Sequence, residues 1–192
     1  MQVQELAPGL WRWTAPHPAW RPGADWPPEV GCVYYEAREA VVLIDPLVPP
    51  ADDGERFWRA LDRDVERAGR PVLVLLTAPW HARSADAIVD RYGGRIGTAA
   101  ELAGVEAYPV PPVAEGQVAL FVRERGALVT AEVLAGSPHG LRVCPSPALG
   151  DSRELDGFLG ALLDLPVELV LVAHGEPVLE RAHEQLERLL AA

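Results

Sequence analysis

The segment Pro71-Val-Leu-Val-Leu-Leu-Thr-Ala-Pro-Trp-His81 opens with an uncharged apolar run that is too short for a stable helix and is followed at once by polar residues. A run of that length behind a proline predicts a strand covered on both faces. Three more runs end the same way. Val41-Val-Leu-Ile reaches Asp45, Ala127-Leu-Val-Thr-Ala reaches Glu132, and Val167-Glu-Leu-Val-Leu-Val-Ala reaches His174. Ligands in layered α/β proteins bind in the crevice beyond the carboxyl ends of strands, so Asp45, Thr77 with His81, Glu132 and His174 are candidates for one shared site. Two imidazoles with one or two carboxylates suit a catalytic zinc with an open position or a mononuclear non-haem iron.

Working outward, Leu10 to Thr14, Gly31 to Glu36, Glu106 to Val110 and Val118 to Val122 also read as strands. The last of these joins Ala127 to Thr130 through Arg123-Glu-Arg-Gly126 as a hairpin. Phe57, Leu61, Val65 and Ala68 form one helical stripe, with Asp52 or Asp53 expected to cap it and Gly69 to close it. A second helix is expected from Ser84, as N-cap, to Tyr92, before Gly93-Gly94. Thr98-Ala-Ala-Glu101 has capping-box spacing. Leu155, Phe158, Leu159 and Leu162 mark a third helix, and Val178 to Leu190 a fourth. Residues 15–30, with Trp20 and Trp26, and the stretch from Gly136 to Gly150 read as loops. No linker or repeat divides the chain, so one α+β domain over residues 1–192 is expected.

Composition narrows the function. The 192 residues are 49% hydrophobic and carry a net charge of −11, which suits a packed core and disfavours nucleic acid and anionic membrane surfaces as partners. A small-molecule substrate or ligand is the expected partner. The absence of a long apolar run or a signal-peptide pattern makes the cytosol the expected location. Cys32 and Cys144 fit no zinc or disulfide spacing. All 17 basic residues are arginine, which excludes lysine-based catalysis and P-loop chemistry.

In their order, Leu73-Val-Leu-Leu-Thr77 with the His81 loop, Ala127-Leu-Val-Thr-Ala-Glu-Val133 and Val170-Leu-Val-Ala-His-Gly-Glu-Pro177 resemble three landmarks of the metallo-β-lactamase-fold hydrolase superfamily. Leu6 to Trp13 and Val41-Val-Leu-Ile-Asp-Pro46 resemble its first strands. The resemblance implies a four-layer αββα sandwich with the site at the edge where two sheets meet. It also implies a degenerate metal site. The family's His-x-His-x-Asp-His run corresponds to Thr77-Ala-Pro-Trp-His-Ala-Arg-Ser-Ala85, where His81 stands for the last His, Trp80 replaces the Asp and the two earlier His have no counterpart. An ungapped alignment leaves His81 matched to no ligand. Val113 takes the place of a further His, Glu132 that of the bridging Asp, and His174 keeps its His-Gly-x-Pro setting. His81, Glu132 and His174 thus remain for at most one zinc, iron or manganese ion, with Asp45 and Thr77 as hydrogen-bonding supports.

Each assignment has a plainer counterpart: His174 as a satisfied strand-end histidine, His81 as a helix-start residue beside a Trp, Glu132 as a sheet-edge carboxylate. Trp20, Trp26 and Trp80 are candidates for an apolar substrate wall, the first two otherwise covering a sheet edge. His183 reads as solvated, and His17 and His139 carry no motif. Two functions follow. One is hydrolysis of a small ester, thioester or lactone through at most one metal. The other is a metal-free, inactive descendant, its centre filled by Trp80 and Val113, that serves as a small-molecule binding or protein-interaction module.

Overall fold

The structure, a computed structural model, describes residues 1–111, 116–144 and 152–191, the side chain of Ser152 excepted. The chain forms two compact units, Met1–Ala103 and Gly104–Ala192.

The first unit is a six-stranded sheet in the order β1 (Val3–Ala7), β2 (Leu10–Pro16), β3 (Glu29–Glu36), β4 (Val41–Ile44), β5 (Val72–Leu75) and β6 (Arg95–Ile96). The first four strands pair antiparallel; β4, β5 and β6 are parallel. The switch follows from the connections. Two short turns and the Trp-rich loop of residues 17–28 join the early strands, whereas α1 (Ala51–Ala68) and α2 (Ala85–Tyr92) carry the chain back over the sheet as crossovers. Phe57 and Leu61 of α1 and Ala85 and Ile88 of α2 pack with Trp13, Tyr34, Val41, Leu43, Val72 and Val74. Every residue of β4 and β5 is buried, as their continuous apolar runs require.

The second unit holds a four-stranded sheet in the order β12 (Leu169–Val172), β9 (Ala127–Thr130), β8 (Val118–Val122) and β7 (Val105–Pro109). A separate hairpin is made by β10 (Leu134–Ser137) and β11 (Gly140–Val143). Phe158, Leu159 and Leu162 of α3 (Ser152–Leu163) and Ala182 and Leu186 of α4 (Ala182–Leu190) pack on Ala119, Phe121, Leu128, Val170 and Val172. The class is therefore α+β. Each unit contributes one sheet layer and one helix layer, the complement that a four-layer αββα sandwich needs.

Several local expectations need correction. No side chain caps α1: Pro50 holds the N-cap position, and Asp53 instead accepts from the terminal ammonium of Met1 and from Arg56. Ser84 does sit at the N-cap of α2, but its hydroxyl accepts from the Val48 N–H and so anchors the loop after β4. The stretch from Gly136 is hairpin as far as Val143, not loop. The last helix begins at Ala182; Val178 lies before it, exchanging backbone hydrogen bonds with Val170 at the sheet edge. Strands β2 and β3 run into the Trp-rich loop as far as Pro16 and back to Glu29. Thr98 and Glu101 form the capping box, here on a 3-10 turn.

Candidate functional site

The parallel pair β4 and β5 fixes the first cluster. Their register sets Ile44 beside Leu75, and one step further the Asp45 N–H donates to the Leu75 carbonyl. Asp45 then leaves the strand with φ 51°, a left-handed conformation that Asp tolerates better than most residues. This turn brings its carboxylate back over the end of β5. Oδ1 accepts from the Thr77 N–H at 2.8 Å, and Oδ2 accepts from the Thr77 hydroxyl. The 3-10 turn Pro79–Ala82 delivers His81, whose Nδ1 lies 2.9 Å from Asp45 Oδ2 and 3.1 Å from Thr77 Oγ1. An ionised carboxylate only accepts, so the imidazole proton belongs on Nδ1, and in the neutral ring the lone pair is on Nε2. The pair is almost wholly enclosed, with side-chain exposures of 2% for His81 and 4% for Asp45.

Arg83 closes the same turn in a strained conformation, φ 39° and ψ −103°. Its guanidinium donates to the Asp45 carbonyl at 3.0 Å and lies beside Cys32 Sγ. Burial pushes the Cys32 thiol up to about 11, the nearby Arg83 charge opposing part of that rise. This cysteine stays protonated and inert at neutral pH.

A second cluster grows from the parallel pair β9 and β12. Register sets Thr130 beside Val172, and the same offset carried two residues onward sets Glu132 beside His174. Glu132 Oε1 lies 3.6 Å from His174 Nε2, with the histidine side chain 11% exposed and the carboxylate 40% exposed. Gln117, itself buried, accepts from the Glu132 N–H. The hairpin β10–β11 pins the other residue: the Gly136 N–H donates to the His174 carbonyl at 2.9 Å. The two backbones are nearly in contact there. A Cβ on Gly136 would lie 1.9 Å from the Glu176 carbonyl oxygen, and one on Gly175, at φ 84°, would lie 2.3 Å from the Gly136 carbonyl oxygen. Only glycine fits both positions. Gly175 is visible in sequence as part of the His-Gly landmark; Gly136 is not, because its partner lies far along the chain.

The structure thus brings Asp45, Thr77 and His81 together in the first unit and Glu132 and His174 together in the second. Within each unit the donors come as an imidazole–carboxylate pair. Among the described residues no group of three or more His, Cys, Asp or Glu side chains is placed to hold a metal ion. Val113 lies outside the described residues. Trp80 is 45% exposed and stands edge-on to the His81 ring at 6.2 Å. Trp20 donates its indole N–H to the Trp26 carbonyl, and Trp26 packs on His17 and against the core of its own unit. His183 is half-exposed on α4, with Glu187 at 3.8 Å. No helix among the described residues is long and apolar enough to cross a membrane.

No family model matches the sequence, and no curated protein matches it. Solved structures do. A metallo-β-lactamase from Erythrobacter litoralis superposes with a TM-score of 0.61 at 17% identity, covering 98% of this chain and 90% of that one. The metallo-β-lactamase FIM-1 from Pseudomonas aeruginosa, solved in a mono-zinc form, gives 0.63 at 12% identity over 99% and 94%. The metallo-β-lactamase IND-7 gives 0.64 at 13% identity over 100% and 98%. With this strand order, these crossover helices and near-complete coverage of proteins of that architecture, the chain has the metallo-β-lactamase fold.

Proposed function

We propose that this protein is a hydrolase of a small ester, thioester or lactone, and that Glu132 and His174 carry the chemistry. The observation behind this reading is the partly open pair at the ends of β9 and β12, with Nε2 and Oε1 3.6 Å apart. That separation exceeds a direct hydrogen bond and is one that a single bridging water spans. Nε2 of His174 takes one proton from that water as the water oxygen bonds to the acyl carbon. The Glu132 carboxylate stabilises the imidazolium as it forms. When the bond to the leaving alkoxide or thiolate breaks, the imidazolium returns the proton to it, giving a carboxylic acid and an alcohol or thiol. His81 and Asp45, being enclosed, hold the loops rather than meet solvent.

At most one metal ion, zinc, iron or manganese, belongs to this reading. Among the described residues neither unit alone offers it three His, Cys, Asp or Glu donors, so no step above passes through it. The net charge of −11 favours a small neutral substrate over nucleic acid or an anionic bilayer, in keeping with a cytosolic protein.

The test is an assay on p-nitrophenyl acetate, an acyl thioester and a γ-lactone, with metal content measured before and after adding each ion. Glu132→Gln and His174→Ala are expected to lower kcat/KM by about 10²-fold while the fold is retained. A wild-type protein that hydrolyses none of these above the buffer rate, under every metal condition, rejects the enzyme and leaves a binding or interaction module. Sub-stoichiometric metal with activity intact would confine the chemistry to side chains.

A further inference from the structure

The first unit contains an apolar slot of about 200 Å³ whose lining includes none of Asp45, Thr77, His81, Glu132 and His174. It opens under α1 against the sheet and is walled by Trp11, Trp13, Tyr34, Leu43, Phe57 and Leu61, with Asp64, which Arg67 faces at 3.5 Å, also on its lining. A fold that packs its interior densely leaves few such spaces, and this one has the liquid volume of about seven waters. Its walls are held. Trp13 donates its indole N–H to the Leu47 carbonyl and meets the Phe57 ring at 5.3 Å. Beside it lies a depression of about 590 Å³, which shares Met1, Val3 and Ala60 with the slot and is bordered by Arg56, Arg59 and Arg63.

The charges around this mouth do not cancel evenly. Asp62 is engaged by Arg91 in a two-point contact and by the Tyr92 hydroxyl. Arg56 faces Asp53 at 3.2 Å, and Arg59 faces Glu55 at 3.5 Å with both side chains well exposed. Exposed pairs of that kind are weak and readily exchanged. Arg63 has no carboxylate within ion-pairing distance among the described residues. The mouth therefore presents available guanidinium donors next to an apolar recess, on a protein that is otherwise acidic.

We propose that this recess is a binding site for a small amphipathic carboxylate, its acyl or aryl portion in the slot and its carboxylate on Arg63 and Arg59. A guanidinium pairs with a carboxylate through two parallel hydrogen bonds, which suits a head group better than a neutral hydroxyl. The site is independent of the hydrolytic reading.

Calorimetric titration with sodium octanoate, below its micelle concentration, tests it. Saturable one-to-one binding is expected, with affinity rising about fourfold per methylene from hexanoate to octanoate, and with 1-octanol binding at least about tenfold more weakly. Arg63→Glu, an exposed change on α1, is expected to weaken octanoate by about tenfold or more while leaving octanol unchanged. Ala60→Trp, which places an indole at the mouth, is expected to abolish both. His174→Ala is expected to leave octanoate binding intact, so a failed hydrolase assay and a failed titration remain separate results. Absence of saturable binding overturns the proposal. So does octanoate affinity unchanged in both Arg63→Glu and Ala60→Trp, or lost in His174→Ala.

Discussion

The two imidazole–carboxylate pairs are built alike and finished differently. Each stands just beyond two parallel strands, the second pair brought together by register and the first by register together with the turn that carries His81. Asp45 and His81 meet at 2.9 Å in an interior that Thr77 helps to fill, and the carboxylate there accepts from the Thr77 N–H, the Thr77 hydroxyl and His81 Nδ1. Glu132 and His174 stop at 3.6 Å with the carboxylate 40% exposed. Enclosure turns the first pair into a clasp between β4, β5 and the following turn. Openness leaves the second pair able to exchange protons with whatever enters. The same residue chemistry therefore serves rigidity in one place and reactivity in the other, and solvent access makes the difference.

The contrast can be broken most forcefully at Asp45. Asp45→Ala strands the Thr77 N–H, the Thr77 hydroxyl and the His81 Nδ1–H where water cannot replace the lost acceptor, for an expected loss of about 4 kcal/mol. For a chain of this size that lowers Tm by roughly 10 °C, measurable by calorimetry. Gly136→Ala comes next, at about 2 kcal/mol, because the added methyl meets backbone rather than a side chain that can turn aside. It is also expected to reduce hydrolysis by displacing His174, whereas Asp45→Ala affects hydrolysis only insofar as the protein unfolds.

A surface ion pair sharpens the comparison further. Hydrogen bonds from Arg91 hold the Asp62 carboxyl down to about 2, below its ordinary value of 3.8. A depressed carboxylate pKa stabilises the fold above the ordinary value, and that contribution is lost as pH falls from 3.8 towards 2. Asp62→Asn is expected to cost no more than about 1 kcal/mol at pH 7 and to flatten the acid limb of the stability profile in that window. The smallest change in stability is expected at the open pair. Glu132→Gln should stay within about 0.5 kcal/mol of the parent while activity falls, and a large loss of stability there would make that pair a clasp as well.

Much of this was legible in sequence where one strand determines the outcome. The apolar runs before Asp45, Thr77 and His174 located the strand ends because burial on both faces needs unbroken hydrophobicity. Gly69 and Gly93 closed their helices where expected. What escaped depends on contacts distant in the chain. Strand β1, Val-Gln-Glu-Leu-Ala, is nowhere fully buried at the sheet edge and does not alternate, so its pattern gives no buried face to read. The β10–β11 hairpin is rich in small residues that suggest a loop, and its backbone pairing is what orders it. The candidate ligands could be named one by one, but grouping them was a matter of register. Asp45 with His81 and Glu132 with His174 follow from strand pairing that sequence does not state.

The glycine contact between the β10 hairpin and the residue after His174 carries a consequence for redesign. The side chain at 132, 40% exposed, can be exchanged freely to try new nucleophiles or ligands, whereas the enclosed position 174, 11% exposed, takes only replacements no larger than the imidazole. Positions 136 and 175 cannot follow, because no larger residue can stand between two main chains already touching. A saturation library across this region should therefore return broad tolerance at 132, a narrow set at 174 and near-invariance at 136 and 175.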